Sequence, residues 1–283
     1  MEITQNIALI GSGVMAEAII AGMLRQKLIQ PGLILASDPL KDRTEELKAR
    51  YGIIPFSDNA AAARQADVVI LSVKPQRLVH VLSGLRGKIR PEALVLSIIA
   101  GASIPTLTEG LDHRSIVRSM PNTPAQIGEG ITVWTASAEV TPAQLELARA
   151  VLMALGDEVY VEEETYLDMA TALSGTGPAY IFLFMEAMID AGVHLGFSRR
   201  IAEKLVVQTI TGSVDYFKHT KVHPAALRNQ VTSPGGTSAE AIYYLEKAGF
   251  RTAISRAVWA AYERSQELGK GMNGVMPEKK FGG

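Results

Sequence analysis

Asn6-Ile7-Ala8-Leu9-Ile10-Gly11-Ser12-Gly13-Val14-Met15-Ala16 runs from an apolar, β-branched stretch through a glycine turn and into a helix-like segment. In such a pattern Gly11 permits the tight turn, Gly13 admits a phosphate without a β-carbon in the way, and Ala16 lets the helix pack closely on the strand. The unpaired N–H groups at the helix start then face an anion, and the helix dipole adds about 0.3–1 kcal/mol. Small residues in this spacing also occur in ordinary turns. Position favours the pyrophosphate-binding reading, because the match lies between an apolar run and a helix whose Ala18, Ile19, Gly22 and Met23 can face a sheet.

Outward from this turn, the chain alternates short apolar runs with helix-like segments, as a doubly wound parallel sheet requires. The runs expected to form strands are Ile7–Ile10, Leu33–Ser37, Asp67–Val73, Leu94–Ile98, Ser115–Arg118, Gly130–Thr135 and a short one near Glu158–Val161. Expected helices are Val14–Lys27, Lys41–Tyr51, Asn59–Gln65, Gln76–Leu85 and Thr141–Leu155, the last opened by a Thr cap and a Pro at the first helical position. From Glu163 onward the pattern is almost wholly helical, with Ile254, Ala257, Val258 and Ala261 on one face. The expected fold is α/β: a Rossmann-type, dinucleotide-binding domain over residues 1–162, then an all-helical substrate-binding and dimerisation domain over 163–283. The Gly-rich stretch from Gly269 to Gly283 reads as poorly ordered.

The segment from Pro178 to Gly192 carries Tyr180, Ile181, Phe182, Leu183, Phe184, Met185, Met188 and Ile189, so it is apolar on more than one face. A helical domain of this size can hardly surround it, and a second subunit is its natural cover; the plainer alternative is a single central core helix.

With 283 residues, 47% of them hydrophobic, the chain can build more than one core. A net charge of −1 with scattered basic residues argues against a nucleic-acid surface. The absence of cysteine excludes disulfides, a thiolate nucleophile and cysteine metal sites, and no metal is expected. The start Met1-Glu2-Ile3-Thr4 lacks a basic n-region, and the strongest apolar run, Tyr180 to Met185, is far shorter than the roughly 18 residues of a membrane span. A cytoplasmic protein with no membrane partner is therefore expected.

Five further segments have the composition of a site. Lys74-Pro75 ends a strand at the carboxyl edge where ligands bind in this sheet class, although a surface lysine would also end a strand there. Ser97-Ile98-Ile99-Ala100-Gly101 ends the next, and Gly101 offers close backbone approach. In Arg118-Ser119-Met120-Pro121-Asn122-Thr123-Pro124 two prolines fix a rigid turn where a nicotinamide ring would lie, though a crossover to the next strand would need the same punctuation. Leu173 to Tyr180 places small residues ahead of the apolar helix, by packing or by ligand approach. In Val231 to Glu240, two glycines followed by hydroxyl residues form a nest of amides suited to a carboxylate and too small for a nucleotide.

In this order the segments resemble pyrroline-5-carboxylate reductases over nearly the whole chain. The matching pieces are Gly11 to Met15, Val73-Lys74-Pro75-Gln76, Ser97 to Gly101, Met120 to Pro124, Leu173 to Tyr180, Asp190-Ala191-Gly192-Val193 and Val231 to Ser238. The resemblance implies reduction of 1-pyrroline-5-carboxylate to L-proline with NAD(P)H, the last step of proline biosynthesis, by a homodimer that in this family often assembles further into a decamer. It puts the phosphate loop on Gly11, Ser12, Gly13, Val14 and Met15, an adenosine-side contact on Asn59, and strand-end contacts on Ser72, Val73, Lys74 and Pro75. Ala100, Gly101 and Asn122 complete the expected cofactor set. The substrate loop falls on Ser233, Gly235, Gly236, Thr237 and Ser238, with Ser238 where a threonine is common; serine keeps the hydroxyl and loses the methyl.

Reducing a cyclic imine needs alignment with nicotinamide C4, worth roughly 7–11 kcal/mol, whereas a positioned acid adds about 10²–10⁴-fold. Positioning can therefore carry most of the rate, which suits a chain whose five histidines all fall outside these segments. Amides around Gly235, Gly236 and Thr237 are assigned to the substrate carboxylate, and the Ser238 hydroxyl to the ring nitrogen as the catalytic contact. Asp38, just after the second strand, would favour the ribose 2′-hydroxyl of NADH, while Lys41, Arg43 and Asn59 would suit the 2′-phosphate of NADPH. NADPH is the expected preference and NADH the alternative. A β-hydroxyacid dehydrogenase shares the two-domain plan but typically wants a lysine on the interdomain helix, and Thr165 to Asp190 contains none. An imine reductase for another substrate and a sensor without turnover are the other readings.

Overall fold

The computed structural model describes residues 2–272. They form two compact units, residues 2–176 with 260–272, and residues 177–259. The sequence division at 162/163 is a single cut; in the structure the long C-terminal helix begins in the second unit and ends in the first.

The first unit is built on one eight-stranded sheet: β1 (Ile7–Ile10), β2 (Ile34–Ser37), β3 (Ile54–Phe56), β4 (Val68–Leu71), β5 (Leu94–Ser97), β6 (Ile116–Met120), β7 (Gly130–Ala136) and β8 (Gly156–Tyr160). Their order is β3-β2-β1-β4-β5-β6-β7-β8, and only β6 with β7 is antiparallel. Helices α1 (Val14–Arg25), α2 (Lys41–Tyr51), α3 (Asn59–Gln65), α4 (Leu78–Leu85), α5 (Ile104–Leu111) and α6 (Pro142–Met153) connect the strands.

Strands β1, β2, β4 and β5 are buried at every position, which is why they read as unbroken apolar runs. Side chains alternate between two cores: Ile7 and Leu9 face one with Ile19, Ile20 and Met23, while Ala8 and Ile10 face the other with Leu78, Leu82 and Leu107. The strand order reverses between β1 and β4, the switch point beside whose carboxyl ends ligands bind in open sheets of this class.

Two elements of the sheet domain are absent from the sequence expectation. Strand β3 is three residues long and contains Pro55, tolerable because β3 is the sheet edge. Helix α5 is eight residues long, opened by Ser103, whose hydroxyl accepts from the Thr106 N–H.

Helices α7 (Tyr166–Ala170) and α8 (Gly177–His194) are joined by a wider π turn at Thr171–Gly175, where the Thr176 N–H reaches the Thr171 carbonyl at 2.8 Å. By length and composition alone, the run Tyr166–His194 could cross a membrane. This wider window takes in Glu186 and uncharged polar residues, whereas the count of consecutive apolar residues ends at Met185.

The second unit holds α8 with α9 (Arg199–Thr220), α10 (Pro224–Gln230), α11 (Thr237–Lys247) and the first part of α12 (Phe250–Met272). Helices α8 and α9 cross closely, since a Cβ on Gly192 would sit 3.0 Å from that of Ala202. No residue of α8 is buried within the chain, so the central-core-helix alternative is wrong. Phe182, Leu183 and Leu195 stand 60%, 67% and 83% exposed. The stretch Gly269–Gly283 also differs from expectation: α12 continues to Met272, and the rest lies outside the described residues.

Candidate active site

The first-unit candidates gather at the carboxyl ends of the parallel strands. Gly11 follows β1 with φ +92, and a Cβ there would sit 2.8 Å from Val73 Cγ1 and 3.0 Å from the Ser72 carbonyl oxygen. Glycine is required by the protein itself at this position. Gly13 is different: its backbone is extended, and a Cβ would meet nothing within 4 Å. Protein packing does not call for glycine there, whereas a phosphate lying against the turn would. Gly13 also opens α1 without a side-chain cap, and the N–H groups of Gly13, Val14 and Met15 find no acceptor among the described residues. Free donors, a bare glycine and a helix N-terminus together fit a pyrophosphate.

The remaining first-unit candidates brace this turn or line its flanks. The Ser72 hydroxyl donates to the Gly11 carbonyl at 2.7 Å. Lys74 is exposed at the head of a short 3₁₀ turn, Pro75–Arg77. Asn59 starts α3, and its Oδ1 accepts from the Ser37 hydroxyl at 2.7 Å. Asp38, read as a ribose ligand, turns inward: Oδ2 accepts from the Ser12 N–H at 2.8 Å and Oδ1 from the Leu40 N–H at 2.9 Å. Asn122 uses Oδ1 to accept from the Ile131 N–H at 3.0 Å, which ties its proline-flanked loop to antiparallel β7. Gly101, beside Ala100, does allow close approach, but its near neighbour here is α12: a Cβ would lie 3.0 Å from the Gly269 nitrogen.

Met120 and the Leu173–Tyr180 segment meet directly, because Gly175 leaves room for the Met120 methyl, 2.7 Å from where a Cβ would be. Behind them Arg118, nearly wholly buried, pairs with Glu164 at 2.8 Å and Asp168 at 3.2 Å. Asp168 also accepts from the Ser265 hydroxyl of α12 at 2.8 Å. This buried knot, absent from the sequence reading, ties β6, α7 and the end of α12; its partners lie 46 to 97 residues apart, too far for any local signal.

In the second unit, Ser233 to Ser238 form the entry to α11. Gly235 takes φ +72, and the Gly236 N–H donates to the Ser233 carbonyl at 3.0 Å. That bond engages the Gly236 amide within the turn, which leaves its neighbours as the loop's free donors. A Cβ on Gly236 would strike the Ser233 hydroxyl at 2.6 Å, so this glycine serves the turn. Gly236 caps α11 without a side-chain bond, and the N–H groups of Gly235, Thr237 and Ser238 have no acceptor among the described residues. The loop therefore retains a small set of donors suited to one carboxylate.

Two family models match separate parts of the chain. Residues 6–101 match the NADP oxidoreductase, coenzyme F420-dependent, model and residues 164–268 the pyrroline-5-carboxylate reductase dimerisation model. The chain is 45% identical to the pyrroline-5-carboxylate reductase of Synechocystis sp., over 94% of this chain and 98% of that one. Identity with the Pseudomonas aeruginosa reductase is 42%, over 94% and 97%. Among solved structures, the Plasmodium falciparum pyrroline carboxylate reductase with NADP bound superposes with a TM-score of 0.88 at 32% identity, covering 95% of this chain and all of that one.

Proposed function

Because this chain belongs to the pyrroline-5-carboxylate reductase family, we infer that it reduces 1-pyrroline-5-carboxylate to L-proline with a pyridine nucleotide, the last step of proline biosynthesis. Two sets of unpaired backbone N–H groups carry the reading: Gly13 to Met15 at the start of α1, and Gly235, Thr237 and Ser238 at the start of α11. The first suits a pyrophosphate and the second a carboxylate, the two anionic handles of the reactants.

When bound, the reduced nicotinamide supplies the hydride that adds to the imine carbon. Gly13, Val14 and Met15 hold the dinucleotide by its phosphates, with Asn59 on the adenosine side and Ser72 to Pro75, Ala100, Gly101 and Asn122 around the strand ends. Gly235, Thr237 and Ser238 orient the substrate through its carboxylate, with Ser233 shaping the turn. The Ser238 hydroxyl hydrogen-bonds the ring nitrogen, which enters as the protonated imine and keeps that proton in the product amine. Orientation of this kind is worth roughly 7–11 kcal/mol, so no strong general acid is demanded.

NADPH is the proposed preference, with NADH as alternative. Asp38 directs both carboxylate oxygens to main-chain N–H groups, which blunts its repulsion of a 2′-phosphate, while Lys41 is exposed at the first position of α2. The working unit is proposed to be a homodimer, with a decamer as a larger assembly, and a second copy rather than lipid or nucleic acid as the cover for α8. A cytoplasmic location is proposed with it. Oxidation of NADPH dependent on added 1-pyrroline-5-carboxylate, with one L-proline formed per NADPH, tests the activity. Absence of turnover, or a large preference for NADH in kcat/KM, would overturn the corresponding part.

A further inference from the structure

Ser12 lies at the centre of the glycine turn, is fully buried, and has every polar atom engaged by the protein. Its N–H donates to Asp38 Oδ2 at 2.8 Å, its hydroxyl donates to the Ser37 carbonyl at 3.4 Å, and its carbonyl accepts from Arg43 Nε at 2.8 Å. Gly11 is fixed beside it, its N–H on the Ser37 carbonyl at 2.8 Å and its carbonyl on the Ser72 hydroxyl. The turn thus has an inner layer of peptide groups bound to the protein and an outer layer, Gly13 to Met15, left for a ligand.

Of these braces only Arg43 reaches in from a helix. Its guanidinium is held by Glu17 of α1 and by Glu46 at 2.8 Å, and Glu17 is held in turn by Arg50 at 2.6 Å and the Tyr51 hydroxyl at 2.8 Å. With both terminal nitrogens anchored, the planar fork leaves Nε aimed at the Ser12 carbonyl, a geometry lysine cannot copy.

We propose that Arg43 is a positioning residue for the nucleotide: it fixes the Ser12 peptide so that the Gly13, Val14 and Met15 N–H groups stay convergent, without itself pairing with the 2′-phosphate. This role rests on Gly11–Met15 being the phosphate site. It replaces the sequence expectation that Arg43 binds the 2′-phosphate. A turn that is already ordered loses less entropy when it binds, so the benefit falls on nucleotide affinity and not on the chemical step.

Dissociation constants for NADPH and NADH, measured by nicotinamide fluorescence on the intact enzyme, together with steady-state kinetics, test the proposal. Arg43→Met is expected to weaken both nucleotides by the same factor, about tenfold or about 1.4 kcal/mol, raising the nucleotide KM while kcat stays within about twofold. Arg43→Lys keeps the charge but not the fork, and is expected to remain weakened by about threefold or more. Loss confined to NADPH would show direct contact with the 2′-phosphate and overturn the proposal. So would unchanged binding in Arg43→Met, or full affinity in Arg43→Lys. If Arg43→Met does not fold, Arg43→Lys decides alone, weakened binding of both nucleotides supporting the role and wild-type binding overturning it. A wild-type enzyme that binds neither nucleotide would remove the phosphate-site reading, and this role with it.

Discussion

The two glycines of the first turn are required for different reasons, and substitution separates them. At Gly11 a Cβ meets Val73 and Ser72 and the backbone is left-handed, whereas at Gly13 a Cβ meets no protein atom. Gly13→Ala is therefore expected to melt within about 2 °C of the wild type while its nucleotide KM rises about tenfold or more. An unchanged KM would mean that no phosphate lies against the turn. Ser238→Ala is expected to lower kcat/KM for the imine by about tenfold or more, through loss of the bond to the ring nitrogen, and unchanged kinetics would remove that role. The turn itself was legible in sequence because its chemistry is local. The inward direction of Asp38, the Ser12–Arg43 bond and the Ser233–Gly236 turn were not, because they depend on which neighbour a polar group finds after folding.

Among the elements, α1 and α2 are joined by Glu17, Arg43, Arg50 and Tyr51, beside the glycine turn. Burial works to raise the Glu17 carboxyl, but hydrogen bonds from Arg43, Tyr51 and Arg50 outweigh it and hold the group below the usual carboxylate range. A lowered carboxyl stabilises the fold at pH above its unfolded value, and that contribution disappears as pH falls through the lower folded value. Between about pH 7 and about pH 3 the wild type should lose more stability than Glu17→Gln, as followed by urea unfolding. Equal losses would show that the ion pair contributes nothing. The fully buried strands were legible as apolar runs, and α6 from its Thr141 cap. Short β3 and α5 offered too few residues for a period to emerge, and β3 carries a proline that argues against a strand except at an edge.

For the whole molecule, the telling feature is an apolar helix with no buried residue in its own chain, within a region that matches a dimerisation model. The need for a covering partner was legible in sequence because Tyr180 to Ile189 is apolar on several faces, more than a small helical unit can enclose. Phe182→Asp, placing a charge on that exposed apolar surface, is expected to shift light-scattering mass from the assembled species toward the monomer and to lower the melting temperature. A wild-type monomer at micromolar concentration would contradict the assembly. The most direct test of two backbone N–H clusters holding two anionic reactants is a crystal structure of the enzyme with NADP and L-proline bound. The expected result is pyrophosphate oxygens on the N–H groups of Gly13 to Met15 and the proline carboxylate on those of Gly235, Thr237 and Ser238; a carboxylate bound elsewhere, with the α11 entry empty, would contradict it.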